Sequence, residues 1–554
     1  MRGQVGRVLS DSDRRRSLGP LAYFTMDLLL SQDLWGKVTH LEAETSNNQL
    51  CEVPIGADLR RRWERARQFV EAVLQLRKVR VLQNLGWLTG GQLAADFTSF
   101  VFFILLSRRF GPEGVGDYAF GLAVAMIGRT VVSLGVDSFG IREVARREAE
   151  EAINIVGRIL GTQCWLLTLY VVGSAGFLLL AGMSTSAAAV AGLLAVYHLS
   201  AGLVRSLFLP AFAAQRMAAP ALLDSGSRVL AVIAGIGMML VGEERLLEVL
   251  LGFPILGIAL LVMALWLARR DLGGLHLNLY PRSVISIARR AWPFAAGQVV
   301  FRLHSRADVL MLSLIVGSSA TGIYAAGLKF VEVSMMVIAL LGLALYPKLT
   351  RLAESDDTGF DVAVTTLMKG GLVACVVLGW GIVVFVPDLS PLFFGSEFRD
   401  TEWVVKLFAL VVPVKGLVIL GDRLMLAAGQ EVQKLHFQTI ATGLNVVFNG
   451  VLIPILAVEG AIIASVVSIT VNAFLLVRHL RRYSSQPLMW RMMKETSPLL
   501  IAGLLAAGIG VSLGTGDIWA AFAFIISFLG AAVFTGFSTM MWTGVRWLAK
   551  RGGR

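Results

Sequence analysis

Long apolar stretches separated by short polar breaks dominate the chain. They run near residues 82–106, 116–136, 160–182, 186–208, 219–241, 247–268, 292–316, 322–347, 364–386, 404–427, 436–457, 460–479, 497–514 and 518–543. Each approaches the roughly 20 apolar residues that a helix needs to cross a bilayer. The pattern predicts an all-α integral membrane protein with about fourteen transmembrane helices.

The polar breaks alternate in charge. Arg142, Arg146, Arg147 and Arg158 lie between the second and third stretches, and Arg269, Arg270, Arg282, Arg289 and Arg290 between the sixth and seventh. Arg478, Arg481, Arg482, Arg491 and Lys494 follow the twelfth, and Arg546, Lys550, Arg551 and Arg554 form the tail. The breaks after the third, seventh and eleventh stretches carry no basic residue; the exceptions to the alternation are Arg108 and Arg109, Arg245, and Arg399 and Lys406. Short cytoplasmic loops are enriched in Arg and Lys, so both termini are expected on the cytoplasmic side.

Composition agrees with this reading. The chain is 56% hydrophobic and only 16% charged, with a mean hydropathy of +0.71. A soluble domain is about 25% charged, which excludes an ordinary soluble enzyme. The 57 glycines suit closely packed membrane helices. The net charge of +12 is explained by the basic loops, without a nucleic-acid partner. Cys51, Cys164 and Cys375 are far apart, and the histidines form no cluster. Neither a disulfide framework nor a metal site is expected, and no cofactor is implied.

Residues 1–80 differ, mixing about fourteen basic with about ten acidic side chains. They show no signal-peptide pattern. They read as a cytoplasmic extension, either a poorly ordered tail or one ending in an amphipathic helix over 59–80.

An internal repeat organises the rest. Ser107, Gly111, Gly116, Tyr118, Ala119, Gly121 and Leu122 recur at one constant offset as Ser313, Gly317, Gly322, Tyr324, Ala325, Gly327 and Leu328. Each copy lies at the outer turn between a unit's first two stretches. Six stretches per unit make the repeat parallel, with a pseudo-two-fold axis along the membrane normal. The expected divisions are a first six-helix bundle at 81–270, a cytoplasmic linker at 271–291, and a second bundle at 292–482. Two further helices and a basic tail occupy 483–554. Two bundles with a site between them suit alternating access.

Three segments carry a family resemblance. They are LLSRRFGPEGVGDYAFGLAVAMIGRTVVSLGVDSFGIREVAR, RADVLMLSLIVGSSATGIYAAGLKFVE and GLNVVFNGVLIPILAVEGAIIASVVS. They resemble polysaccharide flippases, the O-antigen and exopolysaccharide translocases of the MATE-like superfamily, over roughly residues 80–485. The resemblance implies movement of polyprenyl-pyrophosphate-linked oligosaccharide across the cell inner membrane. It implies lipid-linked oligosaccharide and membrane lipid as partners, with polysaccharide polymerase and chain-length proteins beside them. The long N-terminal extension departs from the family's pattern.

Charges inside the apolar stretches are the candidate functional groups, because lipid makes them costly. Arg302 and Arg306 share a helix face with Gln298 and offer a paired donor surface for a pyrophosphate or acidic sugar. Asp308 stands about 120° around the helix from Arg302 and about 160° from Arg306, which leaves it to anchor another helix. Lys329 and Glu332 are spaced to pair. Asp96 occupies the repeat position of Arg302, which suggests a contact between the two across the bundles. Arg129, Asp224, Arg228 and Lys415 complete the deeper set. Arg205, Asp422 and Arg423 lie toward stretch ends, where snorkelling accounts for them. Asn445 and Asn449 either line a cavity or join helices. His304 reads as a packing residue. The binding set is therefore Arg302, Arg306, Lys329, Arg129, Arg228, Lys415 and Asn445. Asp96, Asp308, Glu332 and Asp224 serve coupling or charge pairing.

Cations outnumber carboxylates in this deep set, which favours an anionic cargo over a cationic drug. Pro254, Pro413 and Pro454, with Gly370, Gly371, Gly379 and Gly381, are bending points for rocking. Pro387–Phe398 reads as an interfacial element. No ATP-binding loop is present. A flippase, which performs no covalent chemistry, is the expected function. The alternatives are a multidrug or small-cation exporter on the same fold and a membrane polysaccharide polymerase or ligase. The latter needs a large outer loop, and every outer break here is short.

Overall fold

In the computed structural model the described residues are 57–483, apart from 215–217, 243–244, 272–275, 356, 399–400 and 410. The two C-terminal helices expected beyond 483 lie outside the described residues, as does most of the N-terminal extension. The chain divides into two units, Met1–Arg80 and Val81–Arg554. In the first, residues 57–80 are helical.

Helices carry the second unit. The first half holds residues 81–133 of α1 (Ala57–Ser133), then α2 (Val136–Ala145), α3 (Ala149–Leu180), α4 (Thr185–Leu207), α5 (Leu209–Ala213), α6 (Ala218–Val241), α7 (Leu246–Leu250) and α8 (Gly252–Asp271). The second half holds α9 (Pro281–Ile315), α10 (Ser318–Ser355), α11 (Asp357–Phe394), α12 (Thr401–Ala409), α13 (Val411–Ala427) and α14 (Glu431–Leu480). Among the described residues, eight helices are long and apolar enough to cross a membrane. A ninth is added if α12 and α13, bent by 45°, count as one span. The strongly charged α9, 35 residues long, is not among them.

Two of these helices are hairpins. The rings of Phe102 and Tyr118 stand 5.8 Å apart, whereas a straight helix separates residues 16 apart by about 24 Å. The fold-back is at Gly111, whose φ of 60° and ψ of −168° are open to glycine but not to residues with a Cβ. In α14 the break is at Ala457, with a φ of 48°. Asn445 Nδ2 donates to Ser468 Oγ across that hairpin at 3.3 Å. Gly460 sits so close to the Leu452 carbonyl that a Cβ would overlap it.

Two sequence readings shift. The segment read as a linker at 271–291 contains the first turns of α9, which begins at Pro281. Pro at the first helical position costs no hydrogen bond and starts the helix early. The segment Pro387–Phe398, read as interfacial, is instead the end of α11 plus a short 3-10 turn at Ser396–Phe398. Phe394 and Phe398 are fully buried, with Phe394 packed edge-on against Phe103 of the first half at 5.5 Å. Their burial overrides the interfacial preference of exposed aromatics.

The halves meet at two levels. On the arginine-rich face, Phe139, Val144, Ile155 and Ile159 share a core with Ile287, Ala291 and Ala295 of α9. Gly135 there has a φ of 67° and no room for a Cβ beside the backbone of Phe294 and Ala295. On the opposite face the repeat turns abut. Asp117 accepts hydrogen bonds from Ser318 at 2.5 Å and Ser186 at 2.8 Å. Arg108 donates to the carbonyl of Phe393 at 2.9 Å and to that of Leu392, capping the C-terminal end of α11.

Candidate functional site

Between these two levels lies a cavity with two chambers. The chamber toward the arginine-poor face has a volume of about 420 Å³. Its wall combines Phe100, Phe103, Tyr118, Tyr197 and Phe253 with Asp96, Arg228, Arg306, Lys329 and Glu332. The chamber toward the arginine-rich face has a volume of about 610 Å³ and is lined by Arg205, Asp224, Lys415 and Arg423, among apolar side chains of α10. Asp96, Glu332 and Met336 belong to both walls and mark the waist.

Local helical spacing positions the charges. Lys329 and Glu332 sit one turn apart on α10 and pair at 3.1 Å. The other Glu332 oxygen accepts Arg306 of α9 at 3.5 Å, so one carboxylate serves two cations from neighbouring helices. The Lys329 ammonium also lies 5.5 Å from the centre of the Phe103 ring, a cation–π distance that reaches across to the first half. In the first half, Arg228 of α6 pairs with Asp224 one turn away at 3.3 Å and with Asp96 of α1 at 3.9 Å. It donates to Gln92 at 2.8 Å. Arg129 adds a second cation to Asp224 at 3.5 Å.

Several candidates take other places. Arg302 does not meet Asp96; its guanidinium contacts Thr130 Oγ1 at 3.4 Å and Met126 Sδ at 3.7 Å. The repeat offset relates backbone positions, but Asp96 is drawn to the closer partners Gln92 and Arg228. Asp308 is buried and accepts from the Tyr324 hydroxyl, joining α9 to α10. Asn445 is buried inside the α14 hairpin, bonded to Ser468 and accepting from Asn449 Nδ2 at 3.0 Å. Arg302, Arg129, Asp308 and Asn445 therefore stand behind the chamber walls described above. Asp422, read as a snorkelling residue, pairs with Lys434 of α14 at 3.2 Å.

Other wall residues carried little signal in the sequence. Arg205 and Arg423 face the larger chamber although they sit near helix ends. The Arg205 guanidinium lies 4.8 Å from the Phe212 ring centre. His198 lines the smaller chamber, buried, with its Nδ1 lacking a hydrogen-bond partner among the described residues. A single His in an apolar run gives no indication of which way it faces. Among the described residues no group of His, Cys, Asp and Glu is arranged to hold a metal ion.

The two walls together carry Arg205, Arg228, Arg306, Lys329, Lys415 and Arg423 against Asp96, Asp224 and Glu332, six cations to three carboxylates. Such a surface is chemically suited to an anionic solute with polar and apolar parts.

Known proteins share this architecture. The structure titled lipid II flippase MurJ, inward closed conformation, superposes with a TM-score of 0.66 at 14% identity, over 81% of this chain and 97% of that one. An inward-facing multidrug resistance MATE family transporter of the MOP superfamily gives a TM-score of 0.52 at 12% identity, over 70% of this chain and 94% of that one. At these identities the likeness is one of fold. The probable low-salt glycan biosynthesis flippase Agl15 of Haloferax volcanii is 21% identical over 205 residues. That alignment takes in 36% of this chain and 43% of the relative's length. Residues 81–353 match the profile of the family described as polysaccharide biosynthesis protein. With the multi-span helical fold and the bundle-lined cavity, that match makes residues 81–353 of this membrane protein similar to the polysaccharide biosynthesis protein family.

Proposed function

We propose that this protein is a flippase that moves a polyprenyl-pyrophosphate-linked oligosaccharide across the cell inner membrane by alternating access, for surface polysaccharide assembly. The observation that carries the reading is the cavity's surplus of cations, six against three carboxylates. Buried positive charge in a membrane domain is stable when an anion or water answers it. A diphosphate-linked sugar supplies the anion. The contacts between halves on both faces of the cavity give the two bundles the means to rock, each level opening while the other closes. Arg and Lys in alternate loops favour cytoplasmic termini. The reaction involves no covalent step, so the protein is a transporter rather than an enzyme. Polymerase and chain-length proteins would act on its product.

The MATE-like fold also fits an exporter of cationic drugs. Such a cargo calls for a carboxylate-dominated wall, which this cavity lacks.

The test is mass spectrometry of the lipid fraction from cells without this protein, with the initiating and assembling enzymes intact. A complete lipid-linked oligosaccharide should accumulate on the cytoplasmic side while surface polymer is lost. Normal surface polymer together with altered export of a small cation would overturn the assignment.

A further inference from the structure

The two chambers differ in how their charges are satisfied. In the smaller one every wall cation has a carboxylate within 4.0 Å: Arg228 has Asp96 and Asp224, while Arg306 and Lys329 share Glu332. In the larger one Lys415 and Arg423 line the wall, and neither forms an ion pair with a described residue. The obvious partners are engaged elsewhere. Asp422, next to Arg423, is taken by Lys434 at 3.2 Å. Glu332 at the waist lies within 4.0 Å of the two cations of the other chamber, and it and Asp308 reach Lys415 only at longer range. Nor is Arg423 loosely placed. Its stem lies 3.1 Å from where a Cβ of Gly342 would stand, so the glycine makes room for it against α10.

Cations held in a membrane domain without a close ion pair are costly and are candidate anchors for an anion. We propose that the chamber on the arginine-rich face binds the diphosphate of the cargo through Lys415 and Arg423, and that the ion-paired, aromatic-lined chamber binds its sugars. This rests on the flippase reading. Both residues lie on α13 two turns apart, about 12 Å along the axis, a gap that two long side chains close from either end. Arg supplies a planar pair of donors and Lys a mobile point charge, together suited to the several oxygens of a diphosphate. Beyond the waist, Phe100, Phe103 and Tyr118 give the wall apolar surface for sugar C–H groups, and the paired charges offer hydrogen bonds to hydroxyls. The division displaces Arg302 and Arg306, the sequence's candidates for the phosphate: one contacts Thr130 and Met126, the other is held by Glu332.

The experiment uses the full chain in phosphatidylcholine nanodiscs, with farnesyl pyrophosphate, farnesol, inorganic pyrophosphate and phosphatidylglycerol as probes, read by native mass spectrometry. The wild type should prefer farnesyl pyrophosphate to farnesol. Lys415→Gln with Arg423→Gln should weaken farnesyl pyrophosphate at least about tenfold, as expected for losing charge-assisted hydrogen bonds. The neutral swap Lys406→Gln with Glu402→Gln, at an exposed pair outside both chambers, should weaken it less than about threefold, and Lys415→Arg with Arg423→Lys should retain binding. If the double Gln variant does not fold, Arg423→Gln alone carries the test, with a loss of about threefold or more expected. Unchanged binding in the Lys415 and Arg423 variants, with wild-type preference intact, would overturn the subsite assignment but spare the flippase reading. Equal loss in the Lys406 and Glu402 variant would do the same. A wild type indifferent to the pyrophosphate would sink both. Binding of inorganic pyrophosphate supports the chamber as a diphosphate site. Displacement of farnesyl pyrophosphate by equimolar phosphatidylglycerol would assign the chamber to bulk lipid headgroups and overturn the proposal.

Discussion

Gly116 and Gly322 make reciprocal contacts. The carbonyl of Ser318 occupies the place where a Cβ of Gly116 would stand, and the carbonyl of Pro112 occupies that of Gly322. The repeat offset relates Gly116 to Gly322 and Pro112 to Ser318, so one contact is the image of the other. Backbone cannot yield as a flexible side chain does. Gly116→Ala and Gly322→Ala should each destabilise the closed arrangement of this face by about 1–3 kcal/mol, the cost of overpacking. Their effects should be non-additive, because either one already separates the turns. Thermal unfolding in detergent checks the first point, and cysteine cross-linking across the turns checks the second. Full additivity would argue against a shared contact.

Glu332 holds two cations, so its loss should exceed the loss of either cation. Glu332→Gln leaves Arg306 and Lys329 unanswered. The expected cost is about 1–3 kcal/mol, less than for a fully buried pair because the cavity is partly open to water. Adding Lys329→Gln should recover part of the stability. A double variant less stable than Glu332→Gln would refute this arrangement.

Glu143 ties the two halves together outside the membrane spans. It accepts from Arg290 at 2.6 Å and from Arg147 at 2.9 Å. Burial raises its carboxyl pKa, but the hydrogen bonds from Arg290 and then Arg147 outweigh that and hold it below its ordinary value. A lowered carboxylate stabilises the folded chain above its unfolded-state pKa. That contribution fades as pH falls through the folded value. Because Arg290 and Arg147 are largely exposed, the contribution is small, about 0.2–1 kcal/mol. Stability measured between pH 7 and pH 3 should decline less steeply in Glu143→Gln than in the wild type. Identical slopes would show that Glu143 is not a source of the acid sensitivity.

Asn445 was a candidate cargo ligand in the sequence and is a hairpin clamp in the structure. Asn445→Ala removes its bonds to Ser468 and Asn449. Side-chain hydrogen bonds between membrane helices contribute about 0.6 kcal/mol on average and up to about 1.7. The variant should unfold at lower temperature while keeping its cargo preference in a competition assay. A changed preference at unchanged stability would return Asn445 to the cavity wall.

Much of this protein follows from the sequence alone. The apolar runs dictate helices because a membrane tolerates few other backbone forms, and the breaks at Gly111 and Gly317 mark the repeat turns. Close spacing along one helix also predicted local pairs: Lys329 with Glu332 and Asp224 with Arg228 needed only the helical period. What lies across helices was undetermined. The offset put Asp96 opposite Arg302, yet packing gave Asp96 to Arg228 and turned Arg302 toward Thr130. A helix has a full circle of faces, and the neighbours it meets decide which of them lines a cavity. Only the tertiary structure could show that Arg306 is already answered by Glu332 while Lys415 and Arg423 form no ion pair with a described residue.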